Sequence, residues 1–116
     1  TDAKVRLNPE LFQWAIENLI KNSMDAIKVK ENHSFISISV FENGSSLIID
    51  VEDSGAGIDK KYLNEIFKPG YSTKKRGWGL GLSLTRRIIE DYHDGKIFVL
   101  QTEKDKGTTI RITLPM

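Results

Sequence analysis

Three groups of residues have the types and spacing to do chemistry. Asn18, Asn22 and Asp25 stand at i, i+4 and i+7, so on a helix they form one polar stripe. A neutral Asn carbonyl there suits Mg²⁺ whose other ligands are phosphate oxygens and water; the plainer reading is that the stripe faces solvent. Asp53, Gly55, Gly57 and Ile58 follow as Asp-x-Gly-x-Gly-Ile. A carboxylate leaving a strand can accept from a ligand's amino group, while the glycines let backbone and ligand approach closely. The competing account is an Asx-type turn in which Asp53 bonds its own loop. Gly77-Trp78-Gly79-Leu80-Gly81-Leu82-Ser83 then opens a helix, where free N–H groups and the helix dipole favour phosphate. Lys74, Lys75 and Arg76 lie just upstream, as phosphate contacts or as a solvated loop. No strand directly precedes the Gly-x-Gly run, as a dinucleotide fingerprint needs, and no Gly-Lys-Ser/Thr follows, as a Walker loop needs.

The elements that must position these residues are legible from periodicity. Phe12, Ile16, Leu19, Ile20, Met24 and Ile27 predict a long, largely buried helix over 8–30, with Asn8 as cap, Pro9 at the first position and Glu10 in the first turn. Ile36, Ile38 and Val40 alternate with Ser37 and Ser39, predicting a strand over 34–42 with one solvated face. Asn43-Gly44 has the chemistry of a two-residue hairpin turn, and Leu47, Ile49 and Val51 form the returning strand. A short helix is expected over 59–66 and a loop over 68–79. Leu80, Leu84, Ile88 and Tyr92 mark another helix, with His93, Asp94 and Gly95 as its C-terminal cap. Strands over 96–103 and 107–114 close the chain, with Ile110, Ile112 and Leu114 facing inward. Hairpin-paired strands separated by helices imply an α+β fold, a two-layer α/β sandwich. Its sheet would be mixed and mostly antiparallel, with about three helices on one face.

Composition narrows the function classes. The 116 residues fit one domain, and 39% hydrophobic with 28% charged residues suits a packed globular fold. Seventeen Lys+Arg against sixteen Asp+Glu leave a formal charge of +1, which gives no electrostatic case for nucleic acid or direct membrane contact. The absence of Cys excludes a disulfide scaffold and a thiolate nucleophile, and suits a reducing compartment. Six of the nine glycines lie between positions 55 and 81, which directs the search for function there.

Taken in order, the Asn helix, the strand with Asp-x-Gly-x-Gly, Phe67, the basic loop, the Gly-x-Gly-x-Gly-Leu helix and Gly107-Thr108 resemble the ATP-binding catalytic domain of sensor histidine kinases. That domain belongs to the wider superfamily (the Bergerat fold) of type II topoisomerases, Hsp90 and mismatch-repair ATPases. The resemblance covers 8–115 and implies ATP or ADP and Mg²⁺ as cofactors. By it, Asn22 binds Mg²⁺, and Asn18, one turn earlier, helps order metal or phosphates. Asp53 accepts from the adenine amino group with Thr108 assisting, and Gly57 and Ile58 lie against adenine. Phe67 hinges a lid over 68–78 carrying the basic Lys74. Gly77, Gly79, Leu80, Gly81 and Leu82 wrap the phosphates. Asp25 stands where many members have Lys and, with Gly55, completes the nucleotide-binding set; Asn-Ser-x-Asp-Ala is similar to nitrogen-regulation-type kinases.

The function implied is transfer of the ATP γ-phosphate to a histidine on a separate dimerisation domain, with catalytic roles for Asn18, Asn22 and Lys74. A response regulator follows as an indirect partner, and the domain is expected on the cytoplasmic side. Neither His33 nor His93 stands in the helical setting that such acceptors occupy, and a chain opening on Thr1 is expected to be part of something longer. Two alternatives share the motifs: an ATP-hydrolysing clamp domain of the mismatch-repair or topoisomerase type, and an anti-sigma-type serine kinase. The hydrolases carry Glu one turn before the metal Asn to activate water. Here that position is Asn18, and Glu17 lies about 100° around the helix.

Overall fold

The computed structural model describes residues 4–27, 34–69 and 81–116. Helix α1 spans Pro9–Ala26 and α2 spans Gly81–Asp91; the strands are β1 (Ile36–Asn43), β2 (Ser46–Asp53), β3 (Lys96–Glu103) and β4 (Gly107–Pro115). Among the described residues the strands form one antiparallel sheet in the order β1-β2-β4-β3. No parallel pair occurs in it, so the expected mixed sheet is antiparallel throughout: hairpin turns require this of β1–β2 and β3–β4, and β2 also pairs antiparallel with β4.

Asn8 caps α1 as predicted, its Oδ1 accepting from the Leu11 N–H at 3.1 Å with Pro9 following. The helix ends earlier than its apolar pattern suggests, because Ile27 has turned extended (φ −85°, ψ 130°). The Ala26 carbonyl is taken by the Ala56 N–H at 2.9 Å, which satisfies a terminal acceptor through tertiary pairing. The helix expected over 59–66 is a single 3-10 turn, Lys60–Tyr62, capped by Asp59, and turns follow it. So short a segment has too few hydrogen bonds to offset nucleation.

The core lies between the helices and one sheet face. Ala15 and Leu19 of α1, Ile88 and Ile89 of α2, and Leu47, Ile49, Val51, Ile97, Ile112 and Leu114 of the strands are buried together. The inward placement of Ile112 and Leu114 follows the predicted alternation, and Ile110 packs half-buried beside them. β1 departs from expectation: Ile38 and Val40 remain 46% and 49% exposed although they share the face of Val51 and Ile49. β1 is an edge strand, and the helices sit mainly over β2 and β3. On the opposite sheet face Arg111 grips Asp50 through two 2.8 Å bonds and lies over the Phe41 ring. The Asp50 hydrogen bond raises the Arg111 pKa further above its already high value, so the guanidinium stays charged.

The first hairpin turn is displaced by one residue from its predicted position. Asn43 pairs with Ser46, so the hairpin loop is Gly44-Ser45, with Gly44 at φ 62° as in a type II′ turn. After α2, Asp94 is the left-handed residue of the expected cap (φ 54°). Gly95 is needed for a different reason: a Cβ there would lie 2.4 Å from the Thr113 carbonyl oxygen.

Candidate functional site

Both ends of the predicted site rest on α1. At about 1.5 Å per residue, Asn18 and Ala26 stand roughly 12 Å apart along its axis. At the Ala26 end the Asp53 loop is stitched down. A Cβ on Gly55 would lie 2.6 Å from the Ala26 carbonyl oxygen, and one on Gly57 (φ 79°) 2.4 Å from that of Glu103. The Ala56 carbonyl accepts from the Asp105 N–H at 2.8 Å, so the loop is fixed between α1 and the β3–β4 turn.

Asp53 is 7% exposed and ends β2 on the helix-covered face, directly opposite Thr108 of β4. Its Oδ1 accepts from the Gly55 N–H at 2.8 Å. The alternative Asx turn therefore exists, and it uses one carboxylate oxygen; the carboxylate makes no further hydrogen bond among the described residues. Gly107 (φ 123°) lets β4 start against Asp53, since a Cβ would fall 1.9 Å from the Asp53 carbonyl oxygen. Sequence reading missed Thr102, whose hydroxyl meets that of Thr108 at 2.8 Å and accepts from the Ile58 N–H at 2.8 Å. The hairpin register that faces Thr102 to Thr108 across a three-residue loop is the signal that could have found it.

Asp53, Gly57, Ile58, Thr102 and Thr108 line a cleft of about 900 Å³ at this end of the sheet, with Phe35 and Lys60 on its border. Asn18, Asn22, Asp25, Gly55, Phe67, Gly81 and Leu82 do not line it. A second depression, at the N-terminus of α1 beside Arg6, Asn8 and Tyr92, touches none of the predicted residues.

At the other end, Asn18 meets the start of α2. Its Nδ2 donates to the Thr85 Oγ1 at 2.9 Å, and a Cβ on Gly81 would lie 3.1–3.2 Å from the Asn18 amide. Asn22 is half-buried one turn on, its amide nitrogen shielded from solvent, whereas Asp25 is exposed. The stripe thus divides: Asn18 meets α2, Asn22 is half-buried, and Asp25 faces out. Phe67 and Leu82 pack against the core, and the Arg86 guanidinium sits 5.5 Å over the Phe67 ring. Lys74, Gly77, Gly79 and Leu80 lie outside the described residues, as do His33 and all of the expected 68–78 lid beyond residue 69.

His93 is buried, and both its nitrogens are used. Nε2 accepts from the Asn8 N–H at 3.0 Å, so Nδ1 carries the hydrogen donated to the Ile88 carbonyl at 2.7 Å. These two bonds clamp the end of α2 to the start of α1. Glu17 is exposed and accepts from the Gln13 Nε2 at 2.9 Å, off the Asn18 face.

No group of three or more His, Cys, Asp or Glu able to hold a metal occurs among the described residues. A neutral amide oxygen of the kind Asn22 carries suits Mg²⁺ whose other ligands are phosphate oxygens and water. None of the described helices is long and apolar enough to cross a membrane.

Residues 8–116 match the family described as histidine kinase-, DNA gyrase B-, and HSP90-like ATPase. The chain belongs to that ATPase family. This ATPase domain is 36% identical over 113 residues to sensor histidine kinase ZraS of Escherichia coli (strain K12), which covers 97% of the chain and 23% of ZraS. It is 39% identical over 104 residues to sporulation kinase B of Bacillus subtilis (strain 168), covering 90% of the chain and 23% of that kinase. The domain therefore spans under a quarter of the length of these relatives. Its fold superposes on the nucleotide-free catalytic domain of histidine kinase ThkA with a TM-score of 0.81 at 29% identity, over 96% of this chain and 71% of the other. The expected α+β sandwich and the resemblance to histidine-kinase catalytic domains both hold.

Proposed function

We propose that this ATPase domain binds Mg-ATP and presents the γ-phosphate to a histidine on a separate dimerisation domain. The observation that carries the choice is at position 18. An amide hydrogen-bonded to Thr85 stands where a hydrolase needs a carboxylate, and the neighbouring Glu17 is bonded to Gln13 on another face of α1. With no carboxylate at position 18 to activate water, positioning and charge neutralisation are the means of transfer. The oxygen of Asp53 that Gly55 does not use is suited to accept from the adenine amino group, with Thr108 beside it. Asn22 would hold Mg²⁺, which spreads phosphate charge. Asp25, Gly55, Gly57, Ile58, Phe67, Lys74, Gly77, Gly79, Leu80, Gly81, Leu82 and Thr108 complete the proposed nucleotide set.

Several relatives are named as histidine kinases, and ThkA's domain is called catalytic, which supports the same reading. The acceptor would be the protein's own phosphotransfer domain, with a response regulator downstream. His93 is unsuited as acceptor because both ring nitrogens are engaged in the interior. Incubating the chain with γ-labelled ATP and a candidate acceptor domain tests the proposal. Acid-labile phosphohistidine is expected; acid-stable phosphoserine, or release of phosphate without transfer, would overturn it.

A further inference from the structure

Thr85 is the fully buried residue through which α2 touches the Asn stripe. Its Oγ1 stands 2.8 Å from the Gly81 carbonyl oxygen, one turn back, and 2.9 Å from the Asn18 Nδ2. The carbonyl can only accept, so the single hydroxyl hydrogen points to Gly81. The hydroxyl oxygen can then only accept from Asn18. This settles which way the Asn18 amide faces: nitrogen to Thr85, oxygen away from it.

We infer that Thr85 is a positioning residue that fixes Asn18 as a hydrogen-bond acceptor in the nucleotide site. The inference rests on the reading of Asn18 as a site residue and sharpens it. Thr85 takes one of the two Nδ2 hydrogens, and the oxygen left facing away is an acceptor, suited to a water on the phosphate-bound cation and not to an anionic phosphate oxygen. On that ground Asn18 is assigned to the metal side of Mg-ATP. Gly81 contributes twice, through the carbonyl that orients the hydroxyl and through the missing Cβ that leaves room for the amide.

The test is calorimetric titration of the 116-residue chain with Mg-ATP, with ATP in EDTA and with adenosine. Thr85→Val removes the hydroxyl at nearly constant volume; Thr85→Ala serves if the valine variant does not fold. Loss of one oriented hydrogen bond predicts about tenfold weaker Mg-ATP binding. Adenosine binding stays within about twofold, since a twofold change is well under the energy of one hydrogen bond. Thr85→Ser keeps the hydroxyl and restores Mg-ATP binding. In an Asn18→Ala background, Thr85→Val has no further effect, as coupling through one contact demands. An equal loss of ATP affinity with and without metal would overturn the assignment to the metal side. Unchanged Mg-ATP binding in Thr85→Val, with a loss in Asn18→Ala, would overturn the role of Thr85 alone. Unchanged binding in Asn18→Ala would overturn the reading of Asn18 itself.

Discussion

The two ends of the candidate site are built by different means. At the Asp53 end the closest approach at each glycine is to backbone: Gly55 to the Ala26 carbonyl, Gly57 to that of Glu103, Gly107 to that of Asp53. At the Asn18 end the contacts run through side chains, Gly81 meeting only an amide and Thr85 bridging the helices by its hydroxyl. Backbone cannot yield, whereas a side chain can rotate. The glycines of the sheet end are accordingly required by the fold, and Gly81 by the orientation of its neighbour. One cluster of glycines thus answers two separate demands.

The largest effect that separates the ends is on stability. Gly107→Ala places a Cβ 1.9 Å from the Asp53 carbonyl oxygen at a φ of 123°, and is expected to destabilise the domain by roughly 3–5 kcal/mol. Chemical denaturation measures it, and a loss below about 1 kcal/mol would show that the sheet end can yield after all. Next comes Asp53→Asn, which keeps an acceptor for the Gly55 N–H but replaces the charged acceptor offered to adenine. ATP affinity should fall by about ten- to a hundredfold, with adenosine falling equally. Calorimetry with both ligands checks this, and a loss confined to ATP would place Asp53 at the wrong end. The smallest effect belongs to Gly81→Ala. Helix propensity offsets the contact at 3.1 Å, so stability should move by less than about 1 kcal/mol. The displaced Asn18 amide should still weaken Mg-ATP binding by about threefold or more. A destabilisation matching that of Gly107→Ala would erase the distinction between the ends.

Local chemistry was readable where one residue decides it. Asn8 and Pro9 start α1, the alternation of Ile110, Ile112 and Leu114 turns β4 inward, and Asp53 leaves β2 followed by its glycines, all as their types dictate. What failed were features set by neighbours remote in sequence. The end of α1 is fixed by Ala56 taking the Ala26 carbonyl, the exposure of Ile38 and Val40 by β1 lying at the sheet edge, and the need for Gly95 by Thr113. Thr102 and Thr85 were invisible because neither stands in a motif. Each gains its meaning from what lies across a ladder or a helix interface.

The sequence by itself determined the α+β class, the order of the motifs and the identity of the polar atoms offered to a ligand, because propensity, periodicity and side-chain chemistry are carried residue by residue. Only the tertiary structure decided which oxygen of Asp53 is already engaged, which way the Asn18 amide faces and why His93 is sequestered. A hydrogen bond between distant residues assigns donor and acceptor only when both partners are in place, and no spacing along one chain contains that information.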